Sequence, residues 1–459
     1  MKYRRQVSTC LFAALLALLV AVDPIQAAPP EPEKLTLADS IKLALANNPA
    51  IKIAQADSEK ARWKLNEARA YNGFKLDYSY TWGRTNQPPS WYNNTTGNYP
   101  VSYNPLTKSF ISYPAWSETS EGTYNFYDQG FQLQLPIYTG GKIESSISLA
   151  KHGKAAVDLG AIATRQQLTV EVTTAYFNVL QTRNLADVAN RAVQDLSIHL
   201  KNVQTYYDVG TVALPDVLQT EVRLANARNN LSKAQNAYQL TRYKLNKITG
   251  LSLHNDATLV DDFSFRPSEP VVDDSVAMAL RIRPEMAQAK LKIDMAKDRL
   301  HIAQSGHLPT AALIASEKWK DTTPSTSKDA NSWMIGANVQ FNVFDNGITR
   351  AEIKQAEQEI TAAQEQLRQA EDNITLEVCQ AYLNVQEAIE RIANNKVAVN
   401  QSETDYKMTQ ERYENGVAIN LDVMDAELAM TQARTNYIQA LYDYNISRSK
   451  LDKAMGIIN

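Results

Sequence analysis

The sequence predicts a mainly helical fold with a smaller membrane-spanning β portion, built from duplicated helical hairpins. Three observations carry this. The chain of 459 residues matches itself at a nearly constant offset, four segments alternate apolar and polar residues, and an apolar seam runs unbroken for dozens of residues, with a partly polar counterpart in the second copy. Length alone leaves one to three domains open.

The N-terminus comes first. Lys2, Arg4 and Arg5 precede an apolar run from Cys10 to Val22, followed by small residues at Ala27 and Ala28. This reads as a signal peptide over residues 1–27, so the mature chain is expected to work outside the cytoplasm. Cys10 lies inside that leader, which leaves Cys379 alone, expected as a buried free thiol, with neither a disulfide framework nor a lipid-anchored mature end. A net charge of −3 argues against a nucleic-acid partner. No stretch after residue 28 is apolar enough for a membrane helix, so any membrane contact requires another structure.

The duplication is explicit. YDVGTVALPDVLQTE begins at Tyr207 and YENGVAINLDVMDAE at Tyr413, an offset of 413 − 207 = 206. EVTTAYFNVL from Glu171 meets EVCQAYLNVQ from Glu377, and PIYTGG from Pro136 meets NVFDNG from Asn342, in the same register. Upstream, IKLALANNPAIKIAQA from Ile41 meets VAMALRIRPEMAQAKL from Val276 at 284 − 49 = 235. The surplus of 235 − 206 = 29 residues is an insertion in the first copy, within Gln87 to Thr123 and rich in Tyr, Trp, Pro, Asn and Ser. The expected division is a first repeat over 28–250, a linker over 251–272 and a second repeat over 273–459.

Each copy repeats one internal order. A short helix, near Leu37 to Asn47 and Asp274 to Ile282, stops before a proline that opens a second helix, near Pro49 to Tyr71 and Pro284 to Ser305. Strands follow, expected over 73–86 and 125–138 in the first copy and over 307–321 and 332–344 in the second. Phe74, Leu76, Tyr78, Tyr80 and Trp82 alternate with Lys75, Asp77, Ser79 and Thr81; Phe131, Leu133 and Leu135 alternate with Gln132 and Gln134. In the second copy Trp333, Ile335, Val339, Phe341 and Val343 alternate strongly, and Ala311, Leu313 and Ala315 only in part.

Then comes a very long helix in each copy, from about Thr139 to Asp208 in the first, about 100 Å at ~1.5 Å per residue. Leu168, Val172, Ala175, Val179, Thr182, Ala186, Ala189, Val193, Leu196, Leu200, Val203 and Tyr207 step by four and three as a coiled-coil seam; the second seam, Ile374 to Tyr413, carries Asn395, Ser402 and Thr409. Gly210 and Gly416 suit a helix end with positive φ. Returning helices run from Pro215 and Leu421, with Asp216 and Asp422 in their first turns and Asn420 expected as an N-cap.

Four strands of about a dozen residues are long enough to cross a bilayer when tilted, but they cannot close, and hydrocarbon forbids open edges. Two chains give eight strands and a filled interior; three give twelve and room for a lumen, the favoured count. Trp82, Trp91, Trp116, Trp319 and Trp333 fall in the strand and loop regions, as an interfacial belt requires, though a soluble sandwich face is the alternative from pattern alone.

The leader, the tandem copies, the two strand pairs, the two long helices and the paired Gly-x5-Asp-Val turns together resemble the TolC-like outer membrane efflux proteins. The likeness spans almost the whole mature chain and lies in the order of elements rather than in one motif. It implies a homotrimer in the outer membrane of a Gram-negative bacterium, a twelve-stranded β-barrel in lipid, four strands per chain, continuous with a helical α-barrel tunnel in the periplasm. It implies a passive, non-enzymatic exit duct for efflux or type I secretion, with a periplasmic adaptor and an inner-membrane pump or ABC exporter as partners, and no cofactor.

At the tunnel's narrow end it implies that Asp422 and Asp425 ring the aperture near Asp216, that Tyr413 helps hold the closed state, and that Gly210, Thr211, Gly416 and Val417 meet the adaptor. Helix-end chemistry alone also accounts for Asp216, Asp422 and the glycines, and a seam position accounts for Tyr413. By the same resemblance Ala418 stands where the best-known relative has a gate arginine, which implies a closed state held differently or more weakly. Ile457-Ile458-Asn459 follow the last helix without the longer tail of relatives. The long loop is expected to face outward. His152, His199, His254, His301 and His307 show no metal-ligand spacing and are expected at the surface, and no nucleophile elbow, phosphate loop or CxxC is present. The rival readings are a non-conducting periplasmic coiled-coil scaffold and a general porin.

Overall fold

The computed structural model of the protein describes residues 34–86, 101–104, 109–112, 123–261, 271–321, 323–324, 326 and 330–458. The leader, Trp91, Trp116, most of the insertion and residues 262–270 lie outside the described residues. The elements in order are β1 (Lys34–Leu35), α1 (Leu37–Asn47), α2 (Pro49–Ala70), β2 (Lys75–Thr85), β3 (Val101–Asn104), β4 (Ser109–Ser112), β5 (Tyr124–Tyr138), α3 (Lys142–Asp208) and α4 (Leu214–Thr249). Then follow β6 (Thr258–Leu259), α5 (Val272–Ile282), α6 (Pro284–Gln304), a 3-10 turn at Ser305–His307, β7 (Thr310–Asp321), β8 (Asn331–Gln340), α7 (Ile348–Glu414) and α8 (Asn420–Ala454).

The chain divides into two compact units, the first comprising residues up to Ala44 with Val172–Ser264, the second Leu45–Glu171 with Phe265–Asn459. In the first unit β1 and β6 pair in parallel, and the buried Tyr176 hydroxyl of α3 lies 3.1 Å from the Leu35 carbonyl and 2.6 Å from that of Val260. Thr182 and Thr241 join α3 to α4 at 2.8 Å, while Arg183 pairs with Asp261 at 2.9 Å.

The seam of α3 holds in part. Leu168, Val172, Ala175, Val179, Leu196 and Val203 are buried as read, Val188, Ala192 and His199 are buried beside them, and Tyr207 is exposed. His199, expected at the surface, lies on that face.

The second unit carries the four-stranded antiparallel sheet, in the order β2-β5-β7-β8. Four helices lie beside one another in the matching order α2, α3, α6, α7. Ser58 of α2 bonds Asp158 of α3 at 2.5 Å, Gln288 of α6 donates to the Ala156 carbonyl of α3 at 2.8 Å, and Arg299 of α6 pairs with Glu359 of α7 at 3.2 Å. His152 of α3 meets Asp298 of α6 at 2.8 Å. Each strand is joined in sequence to the helix that occupies its own place in the row, so strand order and helix order are one order.

The core of this unit is made by α5 to α8, where Ala279, Met286, Ile374, Val378, Ala381, Val385, Ala388, Ile392, Ala440, Tyr444 and Leu451 are buried together. Arg283, between α5 and α6, is the charged hub. Its guanidinium donates to Glu285 at 2.9 Å, to Glu377 of α7 at 2.5 Å and to the Ala454 carbonyl at the end of α8 at 3.4 Å, and Lys453 adds a second cation on Glu377 at 3.1 Å. Burial disfavours ionised Glu285 and Glu377, yet the hydrogen bonds from Arg283 hold both carboxyls below their ordinary range. The end of α8 thus abuts the start of α6, both lying along α7. Cys379, on α7, is half-buried rather than fully buried.

Candidate functional site

The two hairpin tips use one device. In the first, the Gly210 N–H donates to the Tyr207 carbonyl at 2.9 Å and the Thr211 N–H to the Tyr206 carbonyl at 2.9 Å, with Gly210 at φ +78°. In the second, Gly416 donates to Tyr413 at 3.0 Å and Val417 to Arg412 at 2.8 Å, with Gly416 at φ +73°. These are Schellman ends, in which a left-handed residue folds two N–H groups back onto orphan carbonyls. Thr211 adds its hydroxyl to the Tyr206 carbonyl at 2.8 Å.

The acidic residues beyond the tips differ in environment. Asp216 is half-buried in the first turn of α4, whose N-cap is Ala213 and whose Pro215 needs no donor there. Asp422 is exposed and its carboxylate accepts from the Ile419 N–H at 3.2 Å, so it closes the start of its own helix. Asn420, read as an N-cap, is instead the first helical residue and is buried; Ile419 holds the cap position because Asp422 supplies the acceptor from three residues on. Asp425 is exposed one turn later, and Tyr413 is buried in the last turn of α7.

Around both glycines lies apolar surface of which only Val417 was singled out from the sequence. Val209, Leu214 and Leu218 are exposed at the first tip, and Val417, Ile419 and Leu421 at the second. The signal was present in the sequence as large aliphatic residues flanking a left-handed glycine, where a monomeric protein places polar ones.

The sheet sorts its side chains by face. In register, Leu76, Tyr78 and Trp82 of β2 stand beside Leu133, Phe131 and Tyr127 of β5. Ala315 and Leu313 of β7 and Ile335 and Val339 of β8 continue that face. Leu76, Tyr78, Tyr80, Trp82, Phe131, Leu313, Trp333, Ile335 and Val339 are all exposed. Two carboxylates of β7 interrupt the apolar face: Glu317 falls between Phe131 and Trp333 and accepts from Asn331 at 3.2 Å, and Asp321 stands in register with Tyr127. The other face carries Lys75, Asp77, Ser79, Gln132, Gln134, Ser316, Ser332 and Asn338. Among the described residues β2 and β8 each have one neighbour, so both edges of the sheet are open there.

The strand-to-helix junctions are also duplicated. Gly140 and Gly141 at φ +64° and +83° answer to Asn346 and Gly347 at +56° and +86°. Thr139 caps α3 through the Ile143 N–H at 3.3 Å, whereas Asp345, at the corresponding place before α7, accepts from the Thr349 hydroxyl at 2.5 Å, the Thr349 N–H at 2.8 Å and the Gly347 N–H at 3.0 Å. Those bonds, from the Thr349 hydroxyl first, lower the Asp345 pKa to about 2.

Among the described residues no helix is long and apolar enough to cross a membrane, and no group of three or more His, Cys, Asp and Glu is placed to hold a metal ion.

The family model described as "Outer membrane efflux protein" matches residues 40–251 and 276–457, one match on each copy of the duplication. The chain is 26% identical over 440 residues to outer membrane protein TolC of Escherichia coli, covering 91% of this chain and 81% of that protein. It is 24% identical over 468 residues to the alkaline protease secretion protein AprF of Pseudomonas aeruginosa, covering 99% and 89%. The fold is similar to the CmeC outer membrane channel of Campylobacter jejuni, with a TM-score of 0.77 at 18% identity over 92% of this chain and 85% of that one. With both copies matched, the chain belongs to the outer membrane efflux protein family, channel proteins of the outer membrane.

Proposed function

We propose that the chain is the passive exit duct of an efflux or type I secretion system, active as a homotrimer with a periplasmic adaptor and an inner-membrane pump or ABC exporter. The observation that carries this reading is the open-edged sheet: four strands with an exposed apolar face cannot remain unpaired in lipid, and three copies shut a twelve-stranded barrel with a polar inner face. The row of helices in the same lateral order extends each strand, so a closed sheet carries a closed helical wall with it.

In this reading the hairpin tips point into the periplasm. Asp422 and Asp425 attract cations at the aperture, Asp216 is assigned the same role on its own hairpin, and Tyr413 packs in the last turn of α7. Gly210, Thr211, Gly416 and Val417, with their exposed aliphatic neighbours, form the adaptor-docking points. The conduit selects little, and no catalytic step is assigned to it; the pump chooses the cargo. The leader over residues 1–27 and the two repeats over 28–250 and 273–459 belong to the same proposal.

Reconstitution in planar bilayers tests it. The wild type is expected to conduct with a preference for cations, and Asp422→Asn with Asp425→Asn to shift the reversal potential toward zero and to weaken block by multivalent cations several-fold. A protein that inserts without conducting would favour a scaffold; unchanged reversal potentials in a conducting double variant would remove the acidic ring.

A further inference from the structure

The polar face of the sheet has an unbalanced charge at one level. Ser79, Gly130, Lys318 and Ser332 are in direct register across the four strands, so Lys318 is the one large side chain of its row. Two residues toward the helices, Asp77 pairs with Lys75 at 3.0 Å; two residues the other way, Asp128 pairs with Lys320 at 3.2 Å. Among the described strand residues this face therefore has three lysines against two carboxylates, and both carboxylates have an ion-pair partner other than Lys318. Glu317, adjacent in sequence, projects from the opposite face.

The site is shaped for that lysine. Gly130 is buried, and a Cβ added to it would come within 2.5 Å of the Glu317 carbonyl oxygen and 2.9 Å of both Cα and Cγ of Lys318. The absence of a side chain at Gly130 lets the stem of Lys318 lie against the strand, and Ser79 and Ser332 leave the space at either side open.

We propose that Lys318 from each of three copies forms a cationic collar inside the β-barrel that binds polyvalent anions; this rests on the duct reading above. Three ammonium groups at one height, with no carboxylate in their row, repel one another and raise a positive potential in a confined lumen. A polyanion relieves that repulsion by bridging them, whereas chloride meets one at a time. The collar is thus a second filter of opposite sign to the acidic aperture, and anionic groups on cargo or solutes entering from outside meet it first.

The experiment is block of single-channel current by inorganic pyrophosphate, in divalent-free chloride, added from the barrel side and then from the tip side. Wild type is expected to be blocked more strongly from the barrel side. Lys318→Gln is expected to weaken that block at least tenfold, and Lys318→Arg to retain it, with current itself reporting that each variant has assembled. If Lys318→Gln assembles poorly, the comparison of Lys318→Arg with wild type, and of one side with the other, decides. A conducting wild type that pyrophosphate does not block, or a Lys318→Gln channel blocked as strongly as wild type, overturns the collar and leaves the duct intact. A wild type that never conducts overturns the duct reading and the collar with it.

Discussion

Asp345 shows how one side chain sets a local response to pH. Its ordinary pKa of 3.8 falls to about 2 because the ionised carboxylate accepts three hydrogen bonds at the start of α7. A depressed carboxyl stabilises above its unfolded value, so the contribution is complete above about pH 4 and is lost as pH drops through about 2. Thr139 fills the corresponding place before α3 and does not titrate. Pepsin digestion between pH 4 and 2 is expected to cut progressively faster beside the exposed Phe344, relative to an internal reference site, while Asp345→Asn abolishes the pH dependence of that ratio. The capping role was readable from Asp two residues before glycine; the role of Arg283 was not, because Glu377 is 94 residues away and joins it only through the fold. Asn420 misled for a related reason. A residue type that favours caps was weighed without Asp422, whose carboxylate already meets the Ile419 N–H.

Among the elements, the end-to-end meeting of α8 and α6 is the most consequential. Two short helices lie along one long one, and Arg283 ties the meeting point to α7 through Glu377 and to the last turn of α8 through the Ala454 carbonyl. Arg283→Ala leaves Glu285 and Glu377 facing each other without the shared cation. The expected loss is about 2 kcal/mol, below the range for a fully buried pair because both carboxylates keep a third or more of their exposure and Lys453 remains. Thermal unfolding followed by helical circular dichroism is the measurement, with Lys453→Ala expected to cost less. Helix identities and the glycine ends at Gly210 and Gly416 were plain in the sequence, since period and left-handed ends are local properties. The stripe of α3 beyond Thr182 was legible at Leu196 and Val203 but not at Val188, Ala192 and His199, which are buried beside the stepped positions, and so His199 was placed on the wrong face.

At the scale of the molecule, alternation predicted which residues of the sheet share a face, and the register bears this out from Leu76 to Val339. The weaker alternation of β7 has its cause in Glu317 and Asp321 on the apolar face and Ile314 on the polar one. Assigning the apolar face to lipid makes two substitutions on one strand diverge. Ile335→Lys is expected to cost about 2–4 kcal/mol if it lies near the bilayer centre and to cut the yield of assembled trimer in detergent, whereas Asn338→Lys, three residues on and facing the other way, is expected to assemble normally. Equal yields would mean that neither face meets lipid, and the opposite outcome, Asn338→Lys failing while Ile335→Lys assembles, would mean that the faces are reversed. Because the strands and the helices follow one lateral sequence, no strand-to-helix passage has to cross another. In the proposed homotrimer, closure then asks nothing of the chain after folding except side-by-side docking, as staves make a cask, and finished subunits can be added at the margin without any of them being opened to admit the next.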